Sequence, residues 1–483
     1  MQRLLFILSA LLVTTLMQAA RPATTAQRTR YKDGPAYIYR ISLTDKQGSP
    51  YTIDHPTRFL SKRSVERRRR QQLAIDSTDL PVSPRYVRQL ESDDIAVIGQ
   101  SRWHNTLLIR LADTTLLSRI DQLGFVKSRK LVWQAPDSVE QTAQRGNVHT
   151  RFEQHDSVGT QRYGKAYGQL YALKGQHLHE QGMLGNGMLI AVIDGGFRNT
   201  DRIPALMRAD VRGIRDFVCP PSSSIYAETD HGTKVLSAMA VNRPYYYIGS
   251  APKASYWLLR SEDMQTEQEV EEDYWTMAAE FADSVGCDII NSSLGYNEYD
   301  HPWMSHRLWH LDGQTAFISQ SASMLAAKGM LLVNSAGNSG MGPWKKITVP
   351  ADADNILTVG AVTPDEPHRI APFSSVGPTQ DNRVKPDIVA VGAPVWLVNG
   401  RGVIMQDMGT SFSTPIVCGL MACLWQALPQ LSVADLISIV RQSAHNHDHP
   451  DSVYGYGVPN FHQALLLGQS LLARRLAEAP IEK

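Results

Sequence analysis

Residues 409–428 read GTSFSTPIVCGLMACLWQAL, and the reading of this stretch decides the fold. A short turn, Gly409–Pro415, carries several hydroxyls and runs straight into the apolar segment 416–428. An apolar run of that length after a hydroxyl-rich turn predicts a buried helix. Two readings of the turn stand side by side. Thr410 or Ser411 caps the free backbone amides of the helix, or the turn presents the Ser411 hydroxyl to a substrate. The second needs a base, an orienting acid and an oxyanion site elsewhere in the chain.

Outward from this helix, the chain from about Gly159 alternates compact apolar strands with helices. Strands are expected at 188–193, 255–259, 288–291, 330–333 and 356–359, with helices at 229–240, 270–285 and 319–327. The strands are apolar throughout rather than alternating, so they are buried on both sides. This predicts an α/β fold with a mostly parallel central sheet and helices on both faces. The motif GYGVPN (455–460) turns the chain into a terminal helix, 461–472, followed by a charged tail.

Three further strings fall beside these elements. Asp194 follows an apolar strand in AVIDGGF, at the carboxyl end where sites assemble in open α/β sheets. His231, in DHGT, opens a helix and can exchange a proton near neutral pH. Asn338, in SAGN, follows the strand at 330–333, and its amide could stabilise a developing oxyanion. Alone, each is equally a turn aspartate, a core histidine or a turn asparagine. Their shared position beside element boundaries favours convergence.

Together these strings resemble the subtilisin family of serine peptidases over roughly residues 160–470. AVIDGGF matches the aspartate motif, HGT the histidine motif and GTSFSTP the serine motif. The resemblance makes Asp194 the orienting acid, His231 the general base, Ser411 the nucleophile and Asn338 an oxyanion donor. Ser293-Leu294-Gly295 resembles the segment that pairs with substrate backbone, and Gly249–Pro252 resembles a link before a core strand. Gly195, Lys234, Phe412 and Ser413 depart from the commoner family residues, and none of them removes a reacting group. The implied chemistry is peptide hydrolysis through an acyl-enzyme, with no cofactor needed for catalysis. Structural calcium remains open, since no compact acidic ligand string stands out. Tyr296 and Trp344 are candidates to line the binding surface. A scaffold that keeps the fold without activity is the first rival reading. An α/β-hydrolase esterase is the second, although that fold places its serine before the acid and histidine.

The preceding third of the chain reads as strand, helix, strand, strand, helix, strand, a small open α+β domain. It resembles the inhibitory propeptides of secreted members from the Bacteroides group, which implies an intramolecular inhibitor and folding aid. Its helix at 59–73 contains Arg67–Arg70, which are expected on a solvated face. Residues 1–20 carry Arg3, an apolar core and a small-residue end, the pattern of a secretory signal peptide. Export follows, to a secreted or periplasmic destination, with no stable membrane span expected. A net charge of +1 gives no global field for nucleic acid, and four cysteines make no disulfide scaffold. The expected organisation is signal peptide 1–20, propeptide-like domain 21–134, linker with a processing site 135–158, peptidase domain 159–473 and tail 474–483.

Overall fold

The computed structural model describes residues 28–30, 36–140, 148 and 161–478. The expected signal peptide and most of the expected linker lie outside the described residues.

The first unit is built on strands β1 (Tyr37–Leu43), β2 (Ala96–Ser101), β3 (Thr106–Leu111) and β4 (Val126–Gln134), with helices α1 (Lys62–Arg70), α2 (Pro84–Leu90) and α3 (Leu117–Asp121). Its sheet is antiparallel, in the order β2-β3-β1-β4. One face buries Ile41, Leu107, Ile109 and Leu117 in a core of its own. With the short helix α2 set aside, the order of strand, helix, two strands, helix and strand is the one expected.

The second unit is a seven-stranded, wholly parallel sheet. Its strands are β5 (Leu189–Asp194), β6 (Asp210–Asp216), β7 (Ser255–Arg260), β8 (Ile289–Ser292), β9 (Leu331–Ser335), β10 (Leu357–Val362) and β11 (Ile388–Val391). They lie in the order β11-β10-β9-β8-β5-β7-β6. Alternate residues of β5 serve two cores. Ile190 and Val192 face the core that holds helices α4 (His231–Ala240) and α7 (Thr410–Ala427). Leu189, Ala191 and Ile193 face helices α5 (Val270–Val285) and α6 (Phe317–Met324). Helices therefore cover both faces, which is why these strands read as continuous apolar runs. Helices α8 (Val433–Gln442) and α9 (Phe461–Glu478) complete the first of these layers, beyond a hairpin of β12 (Val395–Val398) and β13 (Ile404–Asp407). Among the described residues no helix is long and apolar enough to cross a membrane.

The first unit packs on α5, and here the arginine reading needs correction. Arg67 and Arg68 are each 1% exposed, so they do not lie on a solvated face. Both converge on the buried Asp283 of α5, together with Arg102 at 2.5 Å. Arg68 also holds Asp79 at 2.7 Å, and Lys328 reaches the same aspartate at 3.1 Å. Arg69 and Arg70 do face solvent. Further along α5, Arg40 pairs with Asp273 at 2.5 Å, and Lys130 reaches Glu269 at 2.6 Å. The basic face is one half of an interface whose acidic half lies more than two hundred residues away. The charge split follows the same division. Residues 36–140 hold 17 Lys and Arg against 12 Asp and Glu, whereas 161–478 hold 23 against 31, so the two parts carry opposite net charge.

Candidate active site

Asp194 closes β5, and the three residues after β8, Ser293–Gly295, leave the neighbouring strand at the same end. This is the point where the chain order of the sheet reverses, the usual crevice in such folds. His231 is the first residue of α4, and Ser411 the second of α7. All four regions line one cavity of about 610 Å³, together with Asn338, Thr348, Glu262 and Glu267. The structure thus brings Asp194, His231, Asn338, Ser411 and Ser293–Gly295 into one cavity.

His231 Nδ1 lies 2.8 and 3.0 Å from the two carboxylate oxygens of Asp194, which is fully buried. One of those oxygens also accepts from Gly195 N at 2.8 Å, which fixes the carboxylate. Burial disfavours a charged imidazole at His231, but the charge and hydrogen bond of Asp194 outweigh it, and the pKa is raised. Gly232 admits a close approach: a Cβ there would stand 2.9 Å from the Phe197 ring and 3.0 Å from Asp194 Cβ.

The start of α7 has a specific local chemistry. Pro415 has no N–H to return to the carbonyl four residues earlier, that of Ser411. Ser293 Oγ supplies that donor at 2.8 Å. In exchange the Ser411 hydroxyl donates to the Ser293 carbonyl at 3.1 Å, rather than to His231. Ser413 and Thr414 hydroxyls donate to the Thr410 carbonyl. The cap reading of the turn is therefore not met by a Ser411 side chain: its hydroxyl points back to β8. Asn338 Oδ1 accepts from both the amide and the hydroxyl of Thr410, each at 2.9 Å. This leaves Nδ2 as the outward donor, beside first-turn amides that have no acceptor within the helix.

Lys234, one of the departures noted above, is held by Asp407 at 3.0 Å and Asp230 at 3.6 Å. Its charge is answered locally. The two aromatic candidates are not cleft residues. Tyr296 is buried, with its hydroxyl donating to Glu262, and Trp344 donates to the Ile347 carbonyl at 2.9 Å. Thr348, Glu262 and Glu267 were missed by sequence. Glu262 lies two residues beyond β7, the same kind of position that marked Asp194, and that was its available signal. Burial, reinforced by the nearby charge of Glu267, pushes the Glu262 carboxyl up to about 8.

Comparison with known proteins gives the family. Residues 185–457, more than half of the chain, match the model of the subtilase family, peptidase S8.

The chain belongs to the subtilase family.

Residues 38–149 of this subtilase match the model of the peptidase S8 propeptide domain of Bacteroidota. It is 27% identical to M-protease of Shouchella clausii (strain KSM-K16) over 283 residues, 58% of this chain and 65% of that protein. Subtilisin Savinase of Lederbergia lenta is also 27% identical, with 92% of its length covered. Subtilisin E of Bacillus subtilis (strain 168) is 28% identical over 260 residues, 53% of this chain and 60% of that protein. The chain thus spans less than two thirds of M-protease and of subtilisin E. Subtilases need no cofactor for catalysis. Among the described residues no group of three or more His, Cys, Asp or Glu side chains is placed to hold a metal ion.

Proposed function

We propose that this subtilase is an exported serine endopeptidase made as a zymogen, with Asp194, His231 and Ser411 as its triad. The observation that carries the reading is the hydrogen-bonded Asp194–His231 pair in one cleft with Ser411 at the start of α7. Asp194 fixes the ring so that Nδ1 is protonated and Nε2 is the free base. An extended substrate adds its backbone alongside Ser293, Leu294 and Gly295. A substrate N–H that takes the Ser293 carbonyl displaces the Ser411 hydroxyl, which then turns to His231. Ser411 Oγ attacks the peptide carbonyl as His231 takes its proton. The Asn338 amide and the Ser411 backbone N–H stabilise the oxyanion, aided by the positive end of α7. His231 then protonates the leaving amine, and water resolves the acyl-enzyme.

The first unit serves as intramolecular inhibitor and folding aid. Two contacts support this. Trp133 and Gln134, at the end of β4, bond to Thr266 and Gln268 beside cleft residue Glu267. The arginine contacts to α5 hold the unit in place. The domain limits 21–134 and 159–473, processing within 135–158, the signal peptide and structural calcium belong to this proposal too.

A fluorophosphonate probe tests it directly. Mature protein should carry one adduct at Ser411, and Ser411→Ala should abolish both labelling and peptide cleavage. Intact mass of each precursor, purified free of other proteases, tests self-processing: maturation of Ser411→Ala at the wild-type position would overturn it.

A further inference from the structure

The two units leave a cavity of about 460 Å³ along their junction, and it shares no residue with the cleft that holds Ser411. The first unit supplies Val87 of α2 and residues 97–100 of β2. The second supplies Met277 and Phe281 of α5 and the end of β6. β2 and β6 are each the last strand of their sheet, so two sheet edges border the cavity. Gly99 sets its inner end: a Cβ there would stand 2.6 Å from Met277 Sδ, so the missing side chain lets β2 rest on α5. A bulge between Val97 and Gly99 leaves Ile98 without an opposite residue in β3. Irregularities of this kind re-aim side chains. Val97, Ile98 and Phe281 are all partly exposed, so the apolar wall is open to a ligand.

The charges around this cavity are answered within the protein, with one exception. Glu280 accepts from Ser101 Oγ at 2.5 Å, Arg102 N at 2.9 Å and Trp103 N at 3.1 Å. Asp216 pairs with Arg260 at 2.9 Å and accepts from the amides of Val218 and Cys219. Arg102 is held by Asp283 at 2.5 Å and Ser284 at 2.6 Å. Arg215 is the exception. It is exposed, its guanidinium lies 4.8 Å from the Phe281 ring and 5.1 Å from the Phe217 ring, and it has no carboxylate or carbonyl partner among the described residues. An apolar wall of ligand size with one free cation at its rim fits an amphipathic anion. We propose that this cavity binds a fatty-acid-like carboxylate, with the head group on Arg215 and the chain against Val97, Ile98 and Phe281. A guanidinium grips a carboxylate through two parallel N–H donors, a grip that neutral and cationic amphiphiles lack. Because the walls come from both units, the ligand binds only while they are joined, and by linkage it acts as a brake on their separation. Binding is independent of the peptidase reading above; the delay in maturation that follows from it rests on that reading.

The test is calorimetric titration of the full-length Ser411→Ala precursor with octanoate, decanoate and decylamine, each below its micelle concentration. Decanoate should saturate a single site, and each CH₂ gained from octanoate to decanoate should tighten binding about fourfold. Decylamine should bind about tenfold more weakly than decanoate, or worse. Arg215→Gln, a change at an exposed position, should weaken decanoate about tenfold and leave decylamine unchanged. With free decanoate about a hundred times above Kd, the folding equilibrium of the precursor should shift about a hundredfold towards the folded form. No saturable decanoate binding overturns the inference, and so does an affinity that Arg215→Gln leaves unchanged. In wild-type precursor, saturating decanoate should delay the appearance of peptide cleavage, and Arg215→Gln should remove the delay. A wild-type time course unchanged by bound decanoate overturns the brake. Decanoate binding as expected, with no cleavage at any time, overturns the peptidase reading alone.

Discussion

At the scale of single residues, His231 and Asp194 set the acid limit of the reaction. The imidazole must be neutral to accept the Ser411 proton, and its pKa is raised. Activity is therefore lost as pH falls through a value above the ordinary histidine pKa of about 6.5. The acid limb of kcat/KM should lie above that value. In Asp194→Asn the limb should move to lower pH, with kcat down on the order of 10⁴-fold, because the ring loses both its charge partner and its tautomer control. A full pH–rate profile of each protein measures both effects. Ser293 gives a second prediction at this scale. Its hydroxyl replaces the N–H that Pro415 lacks, so Ser293→Ala leaves the Ser411 carbonyl unmatched in a buried site. We expect a stability loss of about 1–3 kcal/mol by chemical denaturation, and a lower kcat as the nucleophile turn loosens.

At the scale of elements, the central strands were legible because both of their faces are buried. Apolar runs such as MLIAVI are then readable without knowing their neighbours. Strand β6, DVRGIRD, was not legible: it lies at the sheet edge, and its exposed residues break the apolar pattern. Helix α8 was passed over as well, although its Ser432–Asp435 capping box is a local start signal. The site residues were legible for a different reason, since turns beside strand ends carry short, chemically specific strings. Helix α1 shows the limit of such reading. A run of four arginines looks solvated until Asp283 of α5 is placed against it. Asp283→Ala would leave Arg67, Arg68 and Arg102 without their common carboxylate in a buried interface. That should destabilise the Ser411→Ala precursor by about 3–5 kcal/mol in denaturant titration. The ion pairs hold the Asp283 pKa far below the usual carboxylate range, against the opposing effect of burial. Its stabilisation is thus complete above the unfolded value of about 3.9 and is lost as pH falls towards the depressed one. In wild-type precursor the docking of the first unit should survive at about pH 5 and weaken below about pH 4.

At the scale of the whole molecule, the two units meet across an apolar contact, in which Ile38, Leu108 and Trp133 join the same buried cluster as Val270, Trp275 and Met277, flanked by charged pairs. Arg40 and Lys130 pair with Asp273 and Glu269 at one end of α5, while Arg67, Arg68 and Arg102 gather on Asp283 at the other. The full chain carries a formal charge of only +1, yet residues 36–140 are net basic and 161–478 net acidic. Near-neutral proteins associate most readily, so we expect the precursor to be less soluble than either fragment. Cleavage between the units would split a nearly isoelectric molecule into a polyanion and a polycation. On an isoelectric focusing gel the mature band should migrate well to the acidic side of its precursor, and the released fragment to the basic side. After cutting, attraction between the fragments should weaken steeply with added salt, since a Debye length of about 8 Å at physiological ionic strength screens all but their contacting charges. Maturation would thus act as a change of electrophoretic identity as well as of covalent structure.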